Sequence, residues 1–178
     1  MTGADLIITR TALGISPIQL LRICGLPEST YFWKECSNRE IPKEASDMIN
    51  RLVFFRARVT RELLLGIDLT FKSRRRIIPV LVYKHADELL DEDLRKRMFG
   101  YPASILKSAA FQAKSEILDR WFSMNHSDTA ITPVVTAVWF DSKRYNRWLM
   151  KNYGLLENAE NMPPARKLRH DWALSVVK

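Results

Sequence analysis

Five carboxylates, Asp87, Glu88, Asp91, Glu92 and Asp93, crowd one short stretch of this chain. Clustered acids can hold the divalent metals of a nuclease. Asp87 with Asp91, and Glu88 with Glu92, are spaced by four and so share a helix face. Lys84, Arg95 and Lys96 surround them, however, and no second acidic set follows a strand as a two-metal site needs. The pattern reads as a solvated helix face. His85, His126 and His170 stand singly, and Cys24 and Cys36 form no metal-ligand spacing, so no metal site is expected. The thiols are those of a reduced, cytosolic protein. No phosphate-binding glycine loop, no G-x-S-x-G and no Cys–His pairing with a third member is present. Asp141, following a β-branched and aromatic run, is better used as a helix N-cap. The expectation is a protein that is not an enzyme and needs no cofactor.

Binding is the remaining chemistry. Across 178 residues, 28 Lys and Arg stand against 20 Asp and Glu, a net charge of +8. That balance favours an anionic partner, nucleic acid first. A composition 47% apolar and 27% charged is that of a folded chain. The opening "MTGADLIITRTALGIS" lacks a charged segment followed by an apolar run of signal-peptide length, and no stretch approaches the roughly 20 apolar residues of a membrane span. A cytoplasmic protein with no membrane partner is expected.

The elements that would position a binding surface begin with "GADLIITRTALG", a first helix of about three turns with Leu6, Ile7 and Leu13 on its apolar side. Gly14 is placed to close it in the left-handed conformation. Ser16, Pro17 and Gln19 then give an N-cap, a first-position proline and a capping-box partner. Ile18, Leu20, Leu21 and Cys24 make the apolar stripe of a second, two-turn helix ending at Gly25. Pro27 can open a third through "ESTYFWKEC", crossing the second steeply.

These proportions are those of a helix-turn-helix, and positions 10 to 37 resemble the phage-repressor (XRE) type without a gap, at Arg10, Leu13, Gly14, Ile15, Leu20, Gly25, Thr30 and Glu35. The resemblance implies that Arg10 pairs with Glu35, locking the third helix against the first. In the family register the groove-facing surface is Pro27, Glu28, Ser29, Phe32 and Trp33. It is poor in side chains that read base edges bidentately. Leu21 and Lys34 depart from the family pattern, which prefers a small and an apolar residue there. A rotated third helix, with Phe32 and Cys36 inward, presents Thr30 and Lys34 flanked by Tyr31 and Trp33 instead. In either register Arg39 and Lys43 are placed for phosphates.

"IPKEASDMINRLVFFRARVTRELLLG" is one long helix ending near Gly66, with Ala45, Met48, Ile49, Leu52, Phe55, Val59 and Leu63 recurring at three and four. Lys43, Arg51, Arg58 and Arg61 lie opposite. "TFKSRRR", 70–76, is a basic linker. "IIPVLVY" then reads as a strand, "KHADELLDEDLRKRMFG" as an exposed helix, and a further helix runs from Pro102 to about Phe122. "ITPVVTAVWF", "DSKRYNRWLMKNYG" and "PPARKLRHDWALSVV" repeat the order strand, helix, helix. Pro79-Val80 answers Pro133-Val134, and Pro102-Ala103 with Leu106 answers Pro164-Ala165 with Leu168. A lone strand makes no stable sheet, so the two strands pair with each other or with those of a second subunit.

The expected fold is mainly α with a small β component (α+β). Residues 1–69 form a helix-turn-helix bundle with its long helix, 70–76 a linker, and 77–178 a pairing or dimerisation domain with a repeat at 77–122 and 131–178. The order of parts resembles the autorepressors associated with anti-CRISPR operons and their bacterial relatives, at "IP" 41–42, "VYKHADELL" 82–90 and "GYPASILKSAA" 100–110. The expectation is a homodimeric, sequence-specific repressor of a phage or mobile-element operon on an inverted repeat of double-stranded DNA. The alternatives are a protein-interaction module, antitoxin or adaptor, on the same scaffold, and an RNA-binding regulator.

Overall fold

The computed structural model describes residues 1–28, 40–67, 77–98, 100–124, 132–154 and 163–177. The chain is mainly α with one small sheet, as the sequence predicts. Helices α1 (Gly3–Ala12) and α2 (Pro17–Cys24) lead to the long α3 (Lys43–Leu64). Strand β1 (Ile77–Val82), helices α4 (Glu92–Arg97) and α5 (Ser104–Met124), strand β2 (Val134–Trp139), and helices α6 (Ser142–Tyr153) and α7 (Ala165–Val177) follow. Among the described residues no single helix is long and apolar enough to cross a membrane.

Helix α3 keeps its shape because its buried positions recur at helical spacing: Ala45, Ile49, Leu52, Phe55, Val59 and Leu63 all face inward. Its first half closes the core under α1 and α2, and α5 also packs against it. The buried Ala109, Ala110 and Ala113 of α5 leave room for a close approach. Thr60 on α3 bridges the two helices, its single hydroxyl proton shared between the Arg56 carbonyl at 2.9 Å and the Ala109 carbonyl at 3.2 Å. One apolar cluster therefore runs from Leu6 through α3 and α5 to Trp172 and Ala173 of α7.

The two strands pair with each other within the chain, in parallel, with Ile77 opposite Val134 and Val82 opposite Trp139. Parallel neighbours need a long crossover, supplied here by the segment carrying α4 and α5. Two strands fall below what stands alone in water, and α5 and α7 pack against the sheet to make up the difference. Pro102 and Pro164 hold like places, each just before a helix. Pro79 lies inside β1 whereas Pro133 precedes β2.

The stretch 84–98 corrects the sequence reading. It is not one helix but a 3-10 turn at Ala86–Glu88 followed by the short α4. Leu89 turns into the core between them, and Asp91 starts the new helix as its N-cap, accepting from the Leu94 N–H at 2.9 Å. The acidic cluster thus never shares one helix face. Asp91 and Asp93 pair with Arg58 at 3.2 and 3.1 Å, Glu92 pairs with Lys96 at 2.9 Å, and Glu88 accepts from the backbone N–H groups of Lys84 and His85.

Among the described residues three carboxyls titrate below the ordinary range. The Thr2 backbone N–H holds Asp5 down, the Arg58 and Arg97 guanidiniums hold Asp93 down, and the Arg144 backbone N–H holds Asp141 down. The unfolded chain takes up protons more readily at these positions. Their contribution to stability is therefore complete above the unfolded carboxyl value of about 4 and fades as pH falls through the lower folded values. Melting temperatures measured between about pH 2 and pH 6 are expected to fall toward the acid end, and Asp93→Asn is expected to reduce that fall.

Candidate nucleic-acid interface

The N-terminal unit is built from three local devices. Thr2 caps α1, its Oγ1 accepting from the Asp5 N–H at 3.2 Å while the Asp5 carboxylate accepts from the Thr2 N–H at 2.9 Å. Ser16 caps α2 in the same reciprocal way with Gln19, at 3.2 and 2.9 Å, and Pro17 takes the first position. Gly14 and Gly25, at φ of 67° and 65°, end α1 and α2 in the left-handed conformation that costs side-chain-bearing residues most. Between the caps the chain turns so that the axes of α1 and α2 are bent by 102°.

Packing fixes this turn on α3. Leu6, Leu13, Ile15, Leu20 and Leu21 join Ile41, Ala45, Ile49 and Leu52 in one core. Leu21, which departs from the repressor pattern, is buried there. Ile18 is 48% exposed and is not part of the stripe assigned to it from sequence. Arg10 Nη1 donates to the Ile15 carbonyl at 2.6 Å, tying α1 to the start of α2. Beyond residues 29–39 the chain returns as Glu40, bridged to Thr2, and the Ile41 N–H donates to the Met1 carbonyl at 3.3 Å. Ser108 on α5 fastens the unit from outside, donating to the Ala12 carbonyl at 2.6 Å.

Of the residues expected to touch DNA, Pro27 and Glu28 emerge exposed after Gly25 and the half-buried Leu26, and Lys43 is exposed at the first turn of α3. Ser29, Thr30, Phe32, Trp33, Lys34 and Arg39 lie outside the described residues, as does Glu35, the expected partner of Arg10. The face of α2 that turns outward carries Ile18, Gln19 and Arg22. Cys24 is half-buried, and its burial, with Glu44 nearby, pushes the thiol up, away from the reactive thiolate.

Two groups were missed from sequence. Arg169, in the basic stretch "ARKLRH", lies inside an aromatic cluster: its guanidinium carbon is 4.3 Å from the centre of the Phe140 ring and 5.5 Å from that of Tyr83. Glu62 is buried on α3, where its spacing from Phe55 and Val59 puts it on the inward face and offered the one available signal. Among the described residues no three His, Cys, Asp or Glu side chains converge as metal ligands.

No protein-family model matches this chain, and no curated protein matches it either.

Proposed function

We propose that the chain is a sequence-specific DNA-binding regulator, an autorepressor of a phage or mobile-element operon that acts in the cytoplasm by occupancy rather than catalysis, as a homodimer on an inverted repeat. One arrangement carries the reading: α2, boxed at its start and closed by a left-handed Gly25, stands across α1 at 102° and delivers Pro27 and Glu28 to the surface at its end. A first helix that crosses the backbone and a following segment presented outward are the parts of a helix-turn-helix. A dimer follows because one short segment supplies too few base contacts, and two-fold symmetry spaces the half-sites.

A second reading, a protein-interaction module on the same scaffold, is favoured by Ile8 and Ile18, which are 69% and 48% exposed on α1 and α2.

Gel-shift titration on the duplex upstream of the chain's own gene separates the two. A repressor is expected to give a discrete complex, weaker on scrambled sequence. With four phosphate contacts its affinity falls roughly 150-fold over a fourfold rise in salt. Lys43→Ala is expected to weaken binding evenly across sequences and to lower the salt slope by about 1. Absence of both sequence preference and salt slope would leave the interaction module.

A further inference from the structure

A second surface, remote in sequence from α2, combines aromatic rings with cations. One groove of about 540 Å³ is lined by Asn50, Arg51, Phe54, Phe55, Arg97 and Tyr101. A second, of about 810 Å³, shares Tyr101 and continues along Arg95, Lys96, His85 and Lys84. Both volumes lie in the range of ligand sites, roughly 300–1,000 Å³. At the far end Lys84 and Lys107 place their ammonium groups 6.0 and 5.6 Å from the centre of the Trp139 ring. Phe54 and Trp139 are 56% and 48% exposed, and Tyr101, half-buried and shared by both grooves, packs on Phe55 with ring centres 5.1 Å apart.

We propose that this track, from Phe54 past Tyr101 to Trp139, binds an unpaired stretch of nucleic acid, its bases stacking on the rings and its phosphates meeting the cations. Charge complementarity selects the polyanion. Among the described residues Arg51, Lys84 and Lys107 are in no ion pair, although Asp141 lies close enough to Lys84 to feel its charge. Arg95 keeps a buried Nε with no hydrogen-bond partner. Two carboxylates, Asp87 and Glu92, line the same groove, and Glu92 is already paired with Lys96. The rings select the state of the strand: bases stacked within a duplex are closed to a side chain, whereas every unpaired base offers a face to an aromatic platform. An acidic peptide would satisfy the cations and leave the rings bare. The inference does not depend on how α2 and the residues after Gly25 engage a duplex.

The test is fluorescence anisotropy of labelled oligothymidine and oligouridine strands of about 12 nucleotides, titrated with the full chain at low and moderate salt. Wild type is expected to bind both. Trp139→Ala and Phe54→Ala, on separate elements and both at exposed positions, are each expected to weaken binding about tenfold, with Trp139→Phe retaining most of it. Lys84→Gln with Lys107→Gln is expected to lower the salt slope by about 1.4, as two lost phosphate contacts require. Binding to the upstream duplex serves as the control that Trp139→Ala leaves unchanged, so that the two readings fail separately. The proposal is overturned if wild type binds neither strand, if both alanine variants bind as wild type does, or if polyglutamate displaces the probe as well as unlabelled strand.

Discussion

Arg169→Met is expected to lower the unfolding free energy by about 3 kcal/mol, which for a chain of this size is a fall in melting temperature of roughly 6–12 °C. The guanidinium ties together three parts of the fold: α7, the end of β1 and the 3-10 turn. From α7 its Nη1 donates to the Tyr83 hydroxyl at 3.1 Å, just past β1, and to the Glu88 carbonyl in the 3-10 turn. Its flat face lies over Phe140, which itself packs against Tyr145 and Trp172. A partly desolvated cation over an aromatic ring contributes about 2 kcal/mol, and hydrogen bonds from a charged donor about 1.5–3 kcal/mol. Methionine keeps the length and apolar character of the side chain but supplies no donor, so the Glu88 carbonyl and the Tyr83 hydroxyl lose their partner in a place water reaches poorly. Burial pushes the Tyr83 phenol up and the nearby guanidinium opposes that shift without overturning it, so the hydroxyl stays protonated through neutral pH. Arg169→Lys retains the charge but not the planar fork, and is expected to recover only part of the loss. Urea denaturation of the three proteins measures this directly. A loss below about 1 kcal/mol for the methionine variant would mean that the cation contributes no more than a surface group.

How much of this was legible in the sequence depended on whether the cause was local. The start of α2 is written in Ser16, Pro17 and Gln19, and its end in Gly25, because a helix's orphan backbone groups are satisfied by residues within one turn. The strands are legible in β-branched runs, and Asp141 as a cap in its position before α6. The stretch 84–98 misled for a physical reason. Its charges do repeat at helical spacing, and the pairs Glu92–Lys96 and Asp93–Arg97 do form, but Leu89 has to reach the core and Asp91 caps better than it continues a helix. Burial therefore outweighs charge periodicity there. The aromatic track is the other extreme. Phe54, Tyr101 and Trp139 come from α3, the approach to α5, and β2, and they are linked only through the packing of α3 on α5, the pairing of β1 with β2, and the grooves that share Tyr101 and Lys84. No spacing rule joins residues so far apart. Arg169 was hidden differently, since one more arginine in a basic helix reads as solvated until its neighbours are known.

The wall of that track rests on a buried carboxylate, and Glu62→Ala is expected to cost about 3 kcal/mol. Glu62 is 6% exposed, and its carboxylate accepts from the Leu90 N–H at 2.7 Å and, more weakly, from the Asp91 N–H at 3.4 Å. Those two backbone donors belong to the break between the 3-10 turn and α4, where neither helix can satisfy them. Removing the carboxylate leaves them unpaired at about 1–3 kcal/mol each, with the lower end applying to the longer bond. Glu62→Gln keeps one acceptor oxygen and is expected to lose about half as much. The effect should also be local: Asp91 uses its side chain to cap α4 and to hold Arg58, so a displaced Asp91 backbone weakens both at once. Hydrogen exchange then discriminates between a general loss and a local one. The amides of Leu90, Asp91 and Leu94 are expected to lose protection in Glu62→Ala beyond what the change in global stability accounts for, while those of α3 and α5 follow the global value. Uniform loss across all of them would make Glu62 an ordinary buried contact rather than the anchor of residues 89–91.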